Sequence, residues 1–127
     1  MEPYNREQTV TTPHINFDPI AGNFEMKGKS VHEDSLKIYQ PMFEWLDEYS
    51  RHPALKTIFS IQLDYFNTSS SKCIKDLFKK LEQIVKNGNG EVSVNWLYDE
   101  MDEDMFEAGE EYKSIIKIPF NLVSFKK

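Results

Sequence analysis

"LKTIFSIQLDYFNTSSSKCIKDLFKKLEQIVK", residues 55 to 86, changes its periodicity halfway along. The first part, 55 to 66, is nearly continuous in apolar and β-branched residues, as expected of a strand in the middle of a sheet. The second part places Ile74, Leu77, Phe78, Leu81, Ile84 and Val85 at helical spacing, with Lys72, Lys75, Lys79, Lys80 and Lys86 on the opposite face. A strand running into a helix predicts an α/β fold. Between the two stand four hydroxyl side chains in a row, Thr68 to Ser71.

The neighbouring segments extend the pattern in both directions. Toward the N-terminus, "HINFD" (14–18) and "NFEMKGK" (23–29) alternate in polarity around Pro19 and Gly22, a hairpin signature. Ser30 and Glu33 have the spacing of a capping box, which predicts a helix carrying Leu36, Tyr39, Met42, Phe43, Leu46 and Tyr49 on its buried face. Pro41 lies inside that helix and predicts a kink over 38–41. Toward the C-terminus, "NGNG" (87–90) stops the second helix, "EVSVNWLY" (91–98) reads as a strand, and the following acids open a short third helix. "IIKIPFNLVSF" (115–125) ends in a strand. The order β-β-α-β-α-β-α-β predicts a mixed sheet of about five strands with helices packed on it, parallel pairs being joined by right-handed crossovers. Trp45 and Trp96 fall in regular elements and are expected in the core.

Length and composition set the limits. The chain of 127 residues fits one domain, read as 11–127 behind a flexible tail at 1–10. With 39% hydrophobic residues it can order a core. No apolar run is long enough to span a membrane, and the polar stretch 1–13 does not look like a secretory signal, so a cytoplasmic protein is expected. Cys73 is the only cysteine, which rules out an internal disulfide or a thiolate-rich zinc site.

Net charge is −6, but the acidity is local. "DEMDEDMFEAGEE" (99–111) holds eight acids and no base. Removing those eight from the chain's 21 leaves 13 acids against 15 lysines and arginines. Nucleic acid is a poor partner for such a surface. The block invites a metal-site reading, yet it lacks the glycine and the final glutamate of a calcium loop, and acids suit a first helical turn for dipole reasons. His14, His32 and His52 are scattered, and no serine or cysteine nucleophile has a recognisable setting, so no catalytic triad is expected. A small metal-dependent or acid-base enzyme using the carboxylates of 99–111 is the alternative to a binding protein without cofactor.

The hydroxyl run has two readings. One of Ser69, Ser70 or Ser71 can cap the helix, since a hydroxyl oxygen satisfies a free N–H at a helix start. The same helix start tolerates negative charge, so a phosphate could be placed there without breaking the fold.

Three stretches, "SVHEDSLKIYQPMFEWLDEY", "LDYFNTSSSK" and "VNWLYDEMDEDMFEAGEEY", resemble the SiaC family of bacterial regulatory phosphoproteins. The likeness rests on G-x-S-x-x-E followed by Y-x-P, on Y-x-N-T-S-S, and on W-x-Y-D-x-x-D-E-D with a later G-E-E, and it covers residues 12 to 123. It implies a fold like that of anti-sigma-factor antagonists, the STAS type. It also implies reversible phosphorylation of Thr68 by a dedicated kinase and its reversal by a PP2C-like phosphatase. The unphosphorylated form would bind and regulate an effector such as a diguanylate cyclase, and through it cyclic-di-GMP and biofilm formation. Partner contacts are expected at Tyr65, Asn67, Ser69, Ser70 and Lys72, and at Asp99, Asp102, Glu103 and Asp104. The sequence departs from the family pattern it resembles at His32, a position often occupied by proline.

Overall fold

The computed structural model describes residues 1–127. Nine elements follow one another: β1 (Tyr4–Arg6), β2 (His14–Asp18), β3 (Asn23–Ser30), α1 (Ser35–Tyr49), β4 (Lys56–Phe66), α2 (Thr68–Lys86), β5 (Glu91–Asp99), α3 (Glu103–Ile115) and β6 (Phe120–Phe125). The expected order is present with one strand added at the N-terminus. All six strands form one sheet in sequence order, antiparallel from β1 to β3 and parallel from β3 to β6.

Alternate side chains of the strands point to one side. Phe24 and Met26 of β3, Phe59, Ile61 and Leu63 of β4, and Val92, Val94 and Trp96 of β5 are all buried. All three helices pack on that side, through Phe24 against Tyr49, Phe59 against Phe78 and Trp96 against Tyr112. The other side of the sheet is open. The α1 helix contacts α2, and α3 contacts β5 and β6.

Several expectations need correction. Residues 1 to 10 are not simply a frayed tail. Tyr4–Arg6 pair with Ile15–Phe17, Tyr4 packs on Phe17 and Trp45, and the indole N–H of Trp45 donates to the Glu2 carbonyl at 2.9 Å. An aromatic anchor and a donor in need of an acceptor are what hold the segment down. Ser30 does not open α1, because it ends β3. Asp34 is the cap, its carboxylate accepting from Lys37 N–H at 3.3 Å. Leu36 lies in the first turn of α1 outside its buried stripe and is 58% exposed. The helix runs on unbroken through Pro41. Trp45 is partly buried against the core, whereas Trp96 is fully buried. Val85 lies at the edge of the α2 stripe and is exposed.

Backbone geometry calls for glycine at Gly88, and close approach calls for it at Gly109. Gly88 (φ +71) follows Asn87 at the end of α2, with Gly88 N–H bonded to Val85 O and Asn89 N–H to Ile84 O, a Schellman closure. Gly109 lets α3 settle onto the sheet, since a Cβ there would lie 2.5 Å from Trp96 Cδ1 and 2.7 Å from Leu122 Cδ2. Near its end β4 slips in register: Gly28 faces Leu63, but Lys29 faces Tyr65, leaving Asp64 as an extra residue.

A hydroxyl-rich rim as candidate functional site

Parallel strands end on the same side of a sheet, so the segments after β3, β4 and β5 share one rim. In open α/β sheets ligands are bound at this edge. Here it carries Ser30 to Ser35, Asn67 to Ser71, and the acids that follow Tyr98.

The cap of α2 is Asn67, not a serine. Its extended backbone lets Oδ1 accept Ser70 N–H at 2.9 Å, while Nδ2 donates to His32 O at 3.2 Å. The serines are occupied elsewhere. Ser70, 1% exposed, donates to the Ser30 carbonyl at 2.7 Å and accepts from Ser30 Oγ at 2.8 Å. Each hydroxyl has one proton, so Tyr39 must be the donor in its 2.7 Å contact with Ser30 Oγ. Burial pushes the Tyr39 phenol well above its ordinary range, against the smaller opposing effect of the Ser30 hydrogen bond, and keeps that proton in place. Ser69 reaches Asn67 Oδ1 at 3.2 Å and Ser35 Oγ at 2.7 Å, joining the first turns of α1 and α2. Ser71 contacts Tyr112 of α3, whose phenol donates to Ser71 O at 2.9 Å.

Thr68 is different. It is the first residue of α2, it is exposed, and it alone of the four makes no side-chain hydrogen bond within the chain. Tyr65 is 60% exposed just before it, and Lys72 is exposed one turn after it. The run "TSSS" therefore divides into three side chains bonded into the rim and one that is free of it. Of the expected partner-contacting residues, Tyr65, Ser69 and Lys72 are accessible, Asn67 is partly so, and Ser70 is enclosed in the fold.

The acidic residues divide in a similar way. Asp99 Oδ1 closes the turn by accepting Met101 N–H, and Asp102 caps α3 by accepting Met105 N–H, each at 3.0 Å. Glu103 and Asp104 are exposed in the first turn of α3. With the 82% exposed Met101 they line an open hollow. Nowhere do three His, Cys, Asp or Glu side chains converge as metal ligands would. His32 lies just before α1, its Nδ1 accepting Asp34 N–H at 2.9 Å, so this ring closes the turn that leads into the helix.

Sequence reasoning missed Glu82, which is 3% exposed on the packed side of α2. Its carboxylate accepts Lys117 N–H and pairs with Lys79 Nζ at 3.4 Å, fastening the loop before β6 to α2. An acid inside the apolar stripe at the expected period was the available signal. The links Ser30–Ser70 and Ser71–Tyr112 left no trace in the sequence, since they join residues 40 and 41 positions apart.

Fold and rim define a small α/β domain with an open sheet face and a rim of interlocked helix starts. The chain belongs to the SiaC family of regulatory phosphoproteins, whose family model matches residues 6–125. It is 31% identical over 112 residues to an uncharacterised protein of Pseudomonas aeruginosa (strain UCBPP-PA14), covering 88% of both chains. The fold is similar to the crystal structure of apo-SiaC from Pseudomonas aeruginosa, with a TM-score of 0.88 and 28% identity over 97% of this chain and 99% of that one. A similar match, TM-score 0.88 at 29% identity over 96% and 99% of the two chains, is to a crystal structure of the diguanylate cyclase SiaD in complex with its activator SiaC, from the same species. No helix of the chain is long and apolar enough to cross a membrane.

Proposed function

We propose that the chain is a non-catalytic, phosphorylation-controlled regulator that binds an effector protein when Thr68 is unmodified and releases it when Thr68 carries phosphate. The observation that carries this reading is the division of labour at the start of α2: Ser69, Ser70 and Ser71 are bonded into the fold, while Thr68 is free and exposed. A kinase can reach this hydroxyl without unfolding the helix. A helix N-terminus accommodates the added negative charge. The effector class follows from kinship, because a similar protein, SiaC of Pseudomonas aeruginosa, is the activator of a diguanylate cyclase. The reading requires a cognate Ser/Thr kinase and a PP2C-like phosphatase. With ATP as phosphate donor, the proposed setting is the cytoplasm. Neither a bound cofactor nor catalysis by Asp99, Asp102, Glu103 or Asp104 is needed, and two of these carboxylates are already engaged in turn and cap.

The test is intact-mass spectrometry after incubation with the cognate kinase and ATP, followed by titration of both forms against the effector cyclase. One phosphate on the peptide containing residues 65–72, with loss of binding, is the expected result. Phosphate elsewhere, or equal binding by both forms, would refute it.

A further inference from the structure

Thr68 heads a row of lysines. At 100° per residue, Thr68, Lys72, Lys75, Lys79 and Lys86 fall within about 60° of one another around α2, and they run about 27 Å along its crest. All four lysines are exposed. Two side chains nearby are taken up locally: Glu82 holds Lys79 from the buried flank at 3.4 Å, and Lys80, off the row, bonds Asp47 of α1 at 2.7 Å. Lys72, Lys75 and Lys86 have no ion-pair partner, although the chain as a whole is acidic. Asp76 is exposed on one flank of the row, α1 presents Glu44, Asp47 and Glu48 beyond it, and α3 presents Glu107, Glu110 and Glu111 on the other side. A single basic ridge therefore runs between two acidic slopes.

We propose that this ridge is the docking surface for an acidic helical segment of the effector, and that phosphate on Thr68 acts by occupying its head. The inference deepens the reading of Thr68 as phosphoacceptor and rests on it for the switch. A segment with carboxylates on one face matches the ridge in charge and shape, and the acidic slopes repel any segment set off the crest. Complementary potentials of this kind fix register and exclude wrong partners. A phosphate of roughly −2 on Thr68 would draw Lys72, four residues on, toward itself and confront the first carboxylate of the partner with like charge. Release then requires no change of fold.

The experiment has two arms. In the first, the full-length chain is titrated by NMR with a synthetic acidic helical peptide long enough to span the ridge, about 18 residues. Amide shifts are expected along 68–86, weakening with added salt and abolished by Lys75→Glu with Lys86→Glu and by phosphorylation. Shifts absent or lying elsewhere would overturn the proposal. In the second, the diguanylate cyclases of the organism are titrated one by one against the wild type, the double variant and a Lys27→Glu control on the open sheet face. The double variant should bind at least about tenfold more weakly and the control should match the wild type. Equal binding by the double variant overturns the ridge but leaves the function standing. If no cyclase binds the wild type, the effector assignment fails and the peptide arm decides the ridge alone. Ridge-dependent binding to phosphatidylserine vesicles, or a ridge-dependent dimer in sedimentation, would also overturn the proposal. Melting curves of each variant establish that it is folded.

Discussion

Ser70 Oγ donates to the carbonyl of Ser30 at 2.7 Å, across 40 residues of sequence. The bond ties the end of β3 to the first turn of α2, and Tyr39 completes it from α1. Three elements therefore meet at a few buried hydroxyls, directly behind the exposed Thr68.

Removing that junction has a calculable effect. In Ser70→Ala, Ser30 loses a donor to its carbonyl and an acceptor for its hydroxyl, both in a buried setting. The carbonyl keeps the Asn67 N–H, but the buried hydroxyl loses its acceptor, at a cost of about 1–3 kcal/mol. Thr68→Ala, two residues away on the surface, should change stability by less than about 0.5 kcal/mol. Urea denaturation of the two variants beside the wild type checks the contrast, and a loss in Thr68→Ala as large as in Ser70→Ala would contradict it.

Gly109→Ala should destabilise the chain by about 1–3 kcal/mol, the usual range for overpacking. The added methyl meets the Trp96 indole and Leu122, which sit on adjacent strands and have little room to retreat. The midpoint of chemical denaturation should fall. Trp96 fluorescence should report the disturbance locally, because its N–H bonds Met105 O in the same helix.

Asn67→Ala removes the cap of α2 and the bond to His32 O, with an expected cost of about 1–2 kcal/mol. Asn67→Asp keeps the acceptor for Ser70 N–H and loses only the donor to His32 O, so it should retain most of the stability. Thermal melts that rank Asp below Ala would overturn this account of the cap.

Alkaline pH should unfold the protein earlier than surface ionisation alone would. Burial raises Tyr39 and Tyr112 above the ordinary tyrosine value of about 10. A phenol harder to ionise in the folded chain than in the unfolded one contributes its stability in full below about pH 10, and that stability falls as pH rises through and above it. Tyr39→Phe should be less stable at neutral pH, having lost the donor to Ser30, but should show a shallower decline above pH 10. Parallel slopes for wild type and variant would remove Tyr39 from the explanation.

On Thr68 itself, phosphorylation should leave the melting temperature within a few degrees of the unmodified protein. Effector binding should weaken by ~3 kcal/mol, more than a hundredfold. Thr68→Ala should bind like wild type, and Thr68→Asp should fall between, having fewer charges and acceptor oxygens. Calorimetric titrations on the same samples used for the melts separate loss of docking from loss of fold.

The element order was readable because strand and helix periods alternate cleanly from His14 to Phe125. What eluded the sequence was whatever depended on distant partners. Ser30 and Glu33 match a capping box, but Ser30 was needed by Ser70 and Tyr39, so the cap passed to Asp34. Asn67 is a strong cap by residue type, but the serines after it are cap formers too, and residue type alone does not rank them. The strand at Tyr4 gave no periodic signal at three residues, and its order comes from Phe17 and Trp45. Thr68 was singled out by resemblance alone; its freedom from the hydroxyl network emerges only in three dimensions.

Asp64 has an influence out of proportion to its exposed side chain. Along β4 the buried positions are Thr57, Phe59, Ile61 and Leu63, so an unbroken alternation would send Tyr65 inward next. The extra residue opposite Gly28 and Lys29 resets the phase: Phe66 packs against Trp96 and Tyr112, and Tyr65 turns out to solvent. Were Asp64 paired in regular register instead, the two rings would exchange sides and α2 would start from a different azimuth, carrying Thr68 and the whole lysine crest away from the direction in which they now face.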